Sequence, residues 1–374
     1  MASFDFPYLS GYAATGHGMS LREAASEDLI GNATSTAVVA PSRLGGLRLE
    51  SRSNLSIRRI KRGEGYSFVR RNGRVVRDAA TMRRLKALAM PPAYEEVRYA
   101  QDAEAHLQAV GRDAAGRWQY RYHPDWEKVR EARKARRLTA LVHVLPKIRR
   151  SVAQHLSGDQ PIREFALAAV IELVARTAIR PGHESYVKLN RTRGATTLLK
   201  SNVRLEDDGI VLSFRGKGGK SLRKECNAVA LVRAVEVLRE LPGLRLFQYR
   251  DGDGAVRAVT ANHVNAFLRE IAGVKISLKD FRTLVACAAV IESLALVTPA
   301  DSARARRRQV LDAVRAAADE LANTPAICRR SYVHDTIVTA FENRLLERFA
   351  ATLKGCRSAA RREQVLAQVL ALGK

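Results

Sequence analysis

Gly209-Ile210-Val211-Leu212-Ser213-Phe214-Arg215-Gly216-Lys217-Gly218-Gly219-Lys220-Ser221-Leu222-Arg223-Lys224 is the stretch that separates two very different folds. Read as a nucleotide-binding loop, Gly219-Lys220-Ser221 would need a glycine where Phe214 stands and a helix opening after Ser221 to hold phosphates on its N-terminus. Neither condition is met, because the residues after Ser221 alternate as a strand does. The stretch is therefore predicted to be a hairpin with lysines at a glycine-rich tip. On an ordinary hairpin such a lysine is merely solvated, so its use depends on what the rest of the chain brings to it.

Working outward, Val203-Arg204-Leu205-Glu206 supplies one more short strand, joined through Asp207-Asp208-Gly209, and Thr196 to Leu199 reads as another. Helices are predicted on both sides. They run over Glu127–Leu156, Ile162–Ala178, Ala228–Leu241, Thr260–Ile271, Leu278–Leu296, Asp301–Asn323, Tyr332–Leu353 and Arg357–Leu372. Phe165, Ala169 and Leu173 recur at helical spacing, and Pro181-Gly182 ends that helix with Arg180 beside the break. The fold class expected is α+β: a mainly α-helical domain with an embedded three-stranded sheet, preceded by a small antiparallel β module.

That module is expected over residues 49–125. Ile57 to Val76 alternates apolar with basic residues around Asn72-Gly73, a hairpin with one cationic face. Thr81–Met90 reads as a short helix stopped by Pro91-Pro92, and strands return over Val97–Tyr122. Aromatic and basic residues interleave from Gly111 to Pro124. Some rings must pack into the module's core, while Arg112, Arg117, Gln119 and Arg121 are expected to be free to face DNA, with Tyr120 and Tyr122 between them. Residues 1–48, rich in Ser, Ala, Gly and Thr without periodicity, are expected to be a flexible leader. Residues 126–374 form the expected helical domain.

Composition points to the partner. The 374 residues are 46% hydrophobic, enough for a sizeable core, yet Lys plus Arg number 64 against 38 acidic residues, a net charge of +26. A polyanion is the expected partner rather than a small metabolite. No apolar run reaches the roughly 18 residues of a membrane helix, so a cytoplasmic, nucleoid-associated location is expected. Cys226, Cys287, Cys328 and Cys356 lie far apart without metal-ligand spacing and are expected to be reduced, mostly packed thiols.

Asn323-Thr324-Pro325-Ala326-Ile327-Cys328-Arg329-Arg330-Ser331-Tyr332 is a turn signal running into a basic segment that ends on a tyrosine. A phenol with a reference pKa of about 10 is a poor nucleophile at neutral pH and needs cationic neighbours. Taken alone, two arginines beside a tyrosine fit a solvated surface better. Arg180, Lys217, Arg282 and Tyr332 taken in order, however, resemble the type IB DNA topoisomerases, in the compact poxvirus-like form found in bacteria. Ala178-Ile179-Arg180-Pro181-Gly182-His183 with Tyr186, Asn190 and Gly194–Leu198 resembles the family's first arginine segment. Phe214 to Lys220 resembles its lysine hairpin, Leu278-Lys279-Asp280-Phe281-Arg282-Thr283 its second arginine segment, and Asn323 to Tyr332 its tyrosine segment. The likeness covers roughly residues 50–350.

The resemblance implies the tyrosine recombinase/topoisomerase IB catalytic fold and relaxation of supercoiled duplex DNA through a 3′-phosphotyrosyl intermediate, without ATP, metal or other cofactor. It implies catalytic roles for Tyr332, Arg180, Lys217, Arg282 and Asn323, and DNA contacts for Lys220 and Lys279. A monomer clamping double-stranded DNA is expected. The family commonly has histidine where Asn323 stands, nine residues before the tyrosine. Asparagine can donate to a phosphate oxygen but carries no proton to transfer. Tyrosine recombinases share the same set, usually with His-x-x-Arg where this chain has Lys279-Asp280-Phe281-Arg282. A non-catalytic basic DNA-binding protein would share only the charge.

Overall fold

A computed structural model describes residues 43–207, 209–356 and 358–372. Among them the chain divides after Arg133 into two compact units, the second of which begins at Lys134.

In the first unit, β1 (Arg43–Leu44) and β2 (Leu47–Arg48) form a small hairpin that buries Leu47. Residues 43–48 of the expected leader form this hairpin. The remainder of that expected leader lies outside the described residues. A five-stranded antiparallel sheet follows in the order β4-β3-β5-β6-β7, from β3 (Ile57–Arg62), β4 (Gly65–Val69), β5 (Glu95–Tyr99), β6 (Leu107–Arg112) and β7 (Trp118–Tyr122). The β3–β4 turn falls at Gly63-Glu64, with Arg62 paired to Gly65, instead of at Asn72-Gly73. Gly63 takes φ +56, which glycine adopts without penalty. Asn72-Gly73 makes a later tight turn, closed by Arg70 N–H to Arg74 O at 2.9 Å.

Both faces of this sheet carry apolar clusters. One collects Ile57, Phe68, Val97 and Tyr99 beneath Leu85 of α1 (Ala79–Ala87), which Asp78 caps by accepting from Thr81 N–H at 2.7 Å. The other collects Leu55, Ala105, Leu107 and Val110, with Trp118, Tyr120 and Tyr122 packed against them. Alternation along β7 puts those three rings on one face and Gln119 and Arg121 on the other.

The long helix α2 (Trp126–Leu156) contains the division between the units. In the second unit its residues Leu138, Leu141, Leu145, Ile148, Val152 and Leu156 recur at spacings of three and four and are buried in the main core. That core surrounds α3 (Arg163–Thr177), whose Phe165 to Ile171 are all buried, the pattern of a helix enclosed on every side. After α4 (Glu184–Asn190), Thr196-Thr197 folds as a 3₁₀ turn where a strand was expected, because Thr197 Oγ1 exchanges hydrogen bonds with Gly194. The embedded sheet has the expected three strands, in the order β10-β9-β8, from β8 (Val203–Leu205), β9 (Gly209–Arg215) and β10 (Ser221–Asn227).

Beyond α5 (Val229–Arg239), a short hairpin of β11 (Gln248–Arg250) and β12 (Val256–Ala258) occupies the stretch between the expected helices Ala228–Leu241 and Thr260–Ile271, where no element was expected. Its strands are three residues each, too short for a period-two signal. The helices α6 (Ala261–Ala272), α7 (Leu278–Ala295) and α8 (Ala303–Glu320) follow as expected, each opened by a Thr or Ser N-cap. The segment expected as one helix from Tyr332 is broken. Tyr332 closes the short α9 (Pro325–Ser331), and α10 (Asp335–Glu342) starts afresh after His334, which caps it. Finally α11 (Ala350–Leu353) and α12 (Ala359–Ala371) pack onto α7.

Candidate active site

Local chemistry places each candidate residue. The chain leaves α3 through Ala178, which takes a left-handed conformation (φ 49) and donates to Val174 O at 3.0 Å. The Arg180 loop is then pinned by main-chain bonds from Ala195 N–H to Arg180 O and from Thr196 N–H to Pro181 O, both 2.8 Å. Gly182 and Gly194 touch there, and a Cβ on Gly194 would stand only 2.5 Å from Gly182 N. The glycines are what allow the two segments to meet. Arg282 lies one turn into α7, where Asp280 accepts from Ser277 N–H (2.8 Å) and Oγ (3.0 Å) to fix the first turn.

At the other end, α8 closes through Leu321 and the left-handed Ala322 (φ 49), with Asn323 N–H bonded to Ala318 O at 2.8 Å. Thr324 then caps α9, accepting from Ile327 N–H at 3.3 Å, and Pro325 occupies the first helical position. Seven residues on, Tyr332 leaves helical geometry and its phenol turns toward Arg282.

These pieces converge. Arg282 is 2% exposed and spends its guanidinium on three oxygens: Ala178 O, Leu321 O at 3.0 Å and the Tyr332 hydroxyl, 3.4 Å from Nε. Its Cζ lies 5.2 Å from the Tyr332 ring centroid. Arg180 donates to Asn323 Oδ1, and Asn323 Nδ2 is buried without a hydrogen-bond partner among the described residues. Arg180, Arg282 and Lys217 line one cleft, with Lys217 exposed at the hairpin tip that the sequence predicted. Arg193, Lys224 and Glu320 line it too, although sequence reading did not single them out. No short motif marks them, since their partners are set by tertiary packing.

The electrostatics match the crowding. Burial alone would push the Tyr332 phenol up, but Arg282, by charge and by hydrogen bond, and then Arg180 and Lys279 together hold it below its usual value. Arg180 is pulled down to about 10 by burial and by repulsion from Arg282, and remains a cation at neutral pH. Burial also raises the Asp280 carboxyl, against Arg137 and Ser277.

The residues predicted to contact DNA are distributed differently. Lys220 is exposed at the end of the hairpin turn and Lys279 is half-buried on the first turn of α7. Arg121 is exposed on the face of β7 opposite its three rings. Arg117 and Gln119 are not free, which corrects the expectation: Asp113, 6% exposed, takes Arg117 Nε at 3.1 Å and Gln119 Nε2 at 2.9 Å. A buried carboxylate must be satisfied: these side chains serve Oδ2, and the main-chain N–H groups of Ala115 and Arg117 serve Oδ1, both at 3.0 Å. Arg112 pairs with Glu96 at 3.0 Å and lies over the Trp118 ring. Tyr120 and Tyr122 stack on one another on the core-facing side, and burial pushes the Tyr122 phenol up to about 12.

Residues 121–357 match the family model of the eukaryotic DNA topoisomerase I catalytic core, and residues 65–113 match that of the bacterial DNA topoisomerase IB N-terminal domain. The chain belongs to the type IB DNA topoisomerases. It is 28% identical to the DNA topoisomerase 1B of Acanthamoeba polyphaga mimivirus over 267 residues, 70% of this chain and 80% of the viral one. The DNA topoisomerase 1B of vaccinia virus (strain Copenhagen) and the DNA topoisomerase I of monkeypox virus are each 28% identical over 117 residues, 31% of this chain and 37% of theirs. As a type IB topoisomerase the protein is an isomerase whose substrate is DNA. No described helix is long and apolar enough to cross a membrane.

Proposed function

We propose that Tyr332 is the nucleophile with which this type IB topoisomerase opens one DNA strand, and that Arg180, Arg282, Asn323 and Lys217 handle the charge and the proton. The observation that carries the reading is the Arg282 Nε–Tyr332 hydroxyl contact at 3.4 Å, in a residue that also lines the cleft shared with Arg180 and Lys217. The Tyr332 oxygen forms a bond to the scissile phosphorus and gives its proton to solvent, while the bond from phosphorus to the 5′ oxygen breaks. Arg180 and Arg282 meet the charge that builds on the non-bridging oxygens. The buried Asn323 Nδ2 adds a neutral donor. Lys217, at the tip of the hairpin, delivers a proton to the departing 5′ oxygen.

One phosphodiester is exchanged for another of similar energy, so religation needs no ATP. Between the two steps the downstream duplex rotates and supercoiling drives relaxation. Arg112, Arg121, Lys220 and Lys279 are assigned to phosphate contacts that position the duplex, in a monomer acting on nucleoid DNA.

Supercoiled plasmid incubated with chelator and no ATP tests the assignment. Wild type relaxes it, whereas Tyr332→Phe leaves it supercoiled, forms no covalent adduct and still retards duplex in a native gel. An adduct trapped on a 3′ phosphate by Tyr332→Phe would remove Tyr332 from the reaction. Sedimentation at working concentration tests the monomer.

A further inference from the structure

The lysine hairpin reaches beyond its sheet. β8 pairs with β9 only from Ile210 to Leu212, so the distal half of β9–β10 is a two-stranded ribbon, which is marginal without tertiary support. On the β9 side it is tied by Arg193 N–H to Arg215 O (2.8 Å) and by Asn202 Nδ2 to Ser213 O (3.1 Å). On β10, residues Leu222 and Lys224 turn into the cleft and Arg223 turns away. Lys224 Nζ donates to the main-chain oxygen of Glu320 at 2.8 Å and to its Oε1 at 2.7 Å.

Glu320 is the last residue of α8, where carbonyls lack helical partners and a cation is favoured. The next three residues belong to the site: Leu321 O accepts from Arg282, Ala322 makes the left-handed turn, and Asn323 accepts from Arg180. We propose that Lys224 and Glu320 form a clasp that positions the Lys217 hairpin against the end of α8, so that the proton donor meets the phosphate held by the arginines. Lys224 is thereby a positioning residue for cleavage. The inference rests on the reading of Lys217 as general acid. The pair is partly solvated, with side-chain exposures of 19% and 37%, so the charge alone is a weak tie. The second bond, to a helix-end carbonyl, gives the clasp its direction.

Single-turnover cleavage on duplexes with either oxygen or sulfur as the 5′ leaving atom tests the clasp, because a thiolate leaves without a proton. Lys224→Met should cleave the oxygen substrate about tenfold more slowly and the sulfur substrate within about twofold of wild type. Glu320→Gln should show a smaller defect, since its main-chain oxygen still accepts. Trypsin should cut native Lys224→Met faster after Lys217 and Lys220. Wild-type rates on oxygen, an equal loss on both substrates or unchanged proteolysis would overturn the clasp; equal loss with weaker duplex binding would make Lys224 a phosphate contact. Lys217→Ala run in parallel separates the two claims. If it stays slow on sulfur, the acid assignment fails, and the proteolysis alone decides whether the clasp holds the hairpin.

Discussion

Replacing Arg282 by alanine should damage the fold and the chemistry together, by amounts the structure sets. Two interior carbonyls, Ala178 O and Leu321 O, would lose the donor that Arg282 gives them. Each buried acceptor left unpaired costs about 1–3 kcal/mol, so the gross loss is about 2–6 kcal/mol. Removing a buried cation recovers part of its desolvation, leaving a net destabilisation of about 2–4 kcal/mol. A domain stable by about 5–15 kcal/mol remains folded at 25 °C. The phenol of Tyr332 would lose the strongest influence holding it down, while burial would continue to push it up. A larger fraction would then be protonated at any given pH, so the rise of cleavage rate with pH should move to higher pH. Loss of the transition-state donor adds a fall of about 10²-fold or more. Urea unfolding gives the first quantity, and single-turnover cleavage from neutral to alkaline pH gives the second. Arg282→Lys should recover part of the pH shift through its charge, but little stability, because one ammonium cannot span three separate oxygens. An unfolding free energy within about 0.5 kcal/mol of wild type, or an unmoved pH profile, would refute the reasoning.

Gly194→Ala should place a Cβ against Gly182 N and the Arg180 main chain, forcing the Arg180 loop to shift. A stability loss of about 1–3 kcal/mol and a cleavage rate lower by about 10²-fold, with duplex binding retained, are expected; wild-type cleavage would show that the loop adapts. Thiol labelling of the native protein should modify Cys356 first, since Cys226, Cys287 and Cys328 are buried and burial pushes Cys226 and Cys328 up to about 11. Mass spectrometry finding Cys328 labelled as fast as Cys356 would contradict this packing.

Much of the chain was legible as sequence because its signals are local. Glycines and alternation placed Lys217 at a hairpin tip, and the charge of +26 named a polyanion. Where local signals were ambiguous, the reading slipped: Asn72-Gly73 lost the hairpin turn to Gly63-Glu64, and Thr196-Thr197 turned instead of extending. Only tertiary structure decided which side chains meet. Arg180 finds Asn323 across 143 residues, Arg282 finds Tyr332 across 50, and Lys224 finds Glu320 across 96. In the first unit the buried Asp113 captures two of the side chains that alternation left for DNA. Periodicity and turn chemistry report how a backbone bends over a few residues, whereas a buried charge takes whatever partner packing brings within about 3 Å.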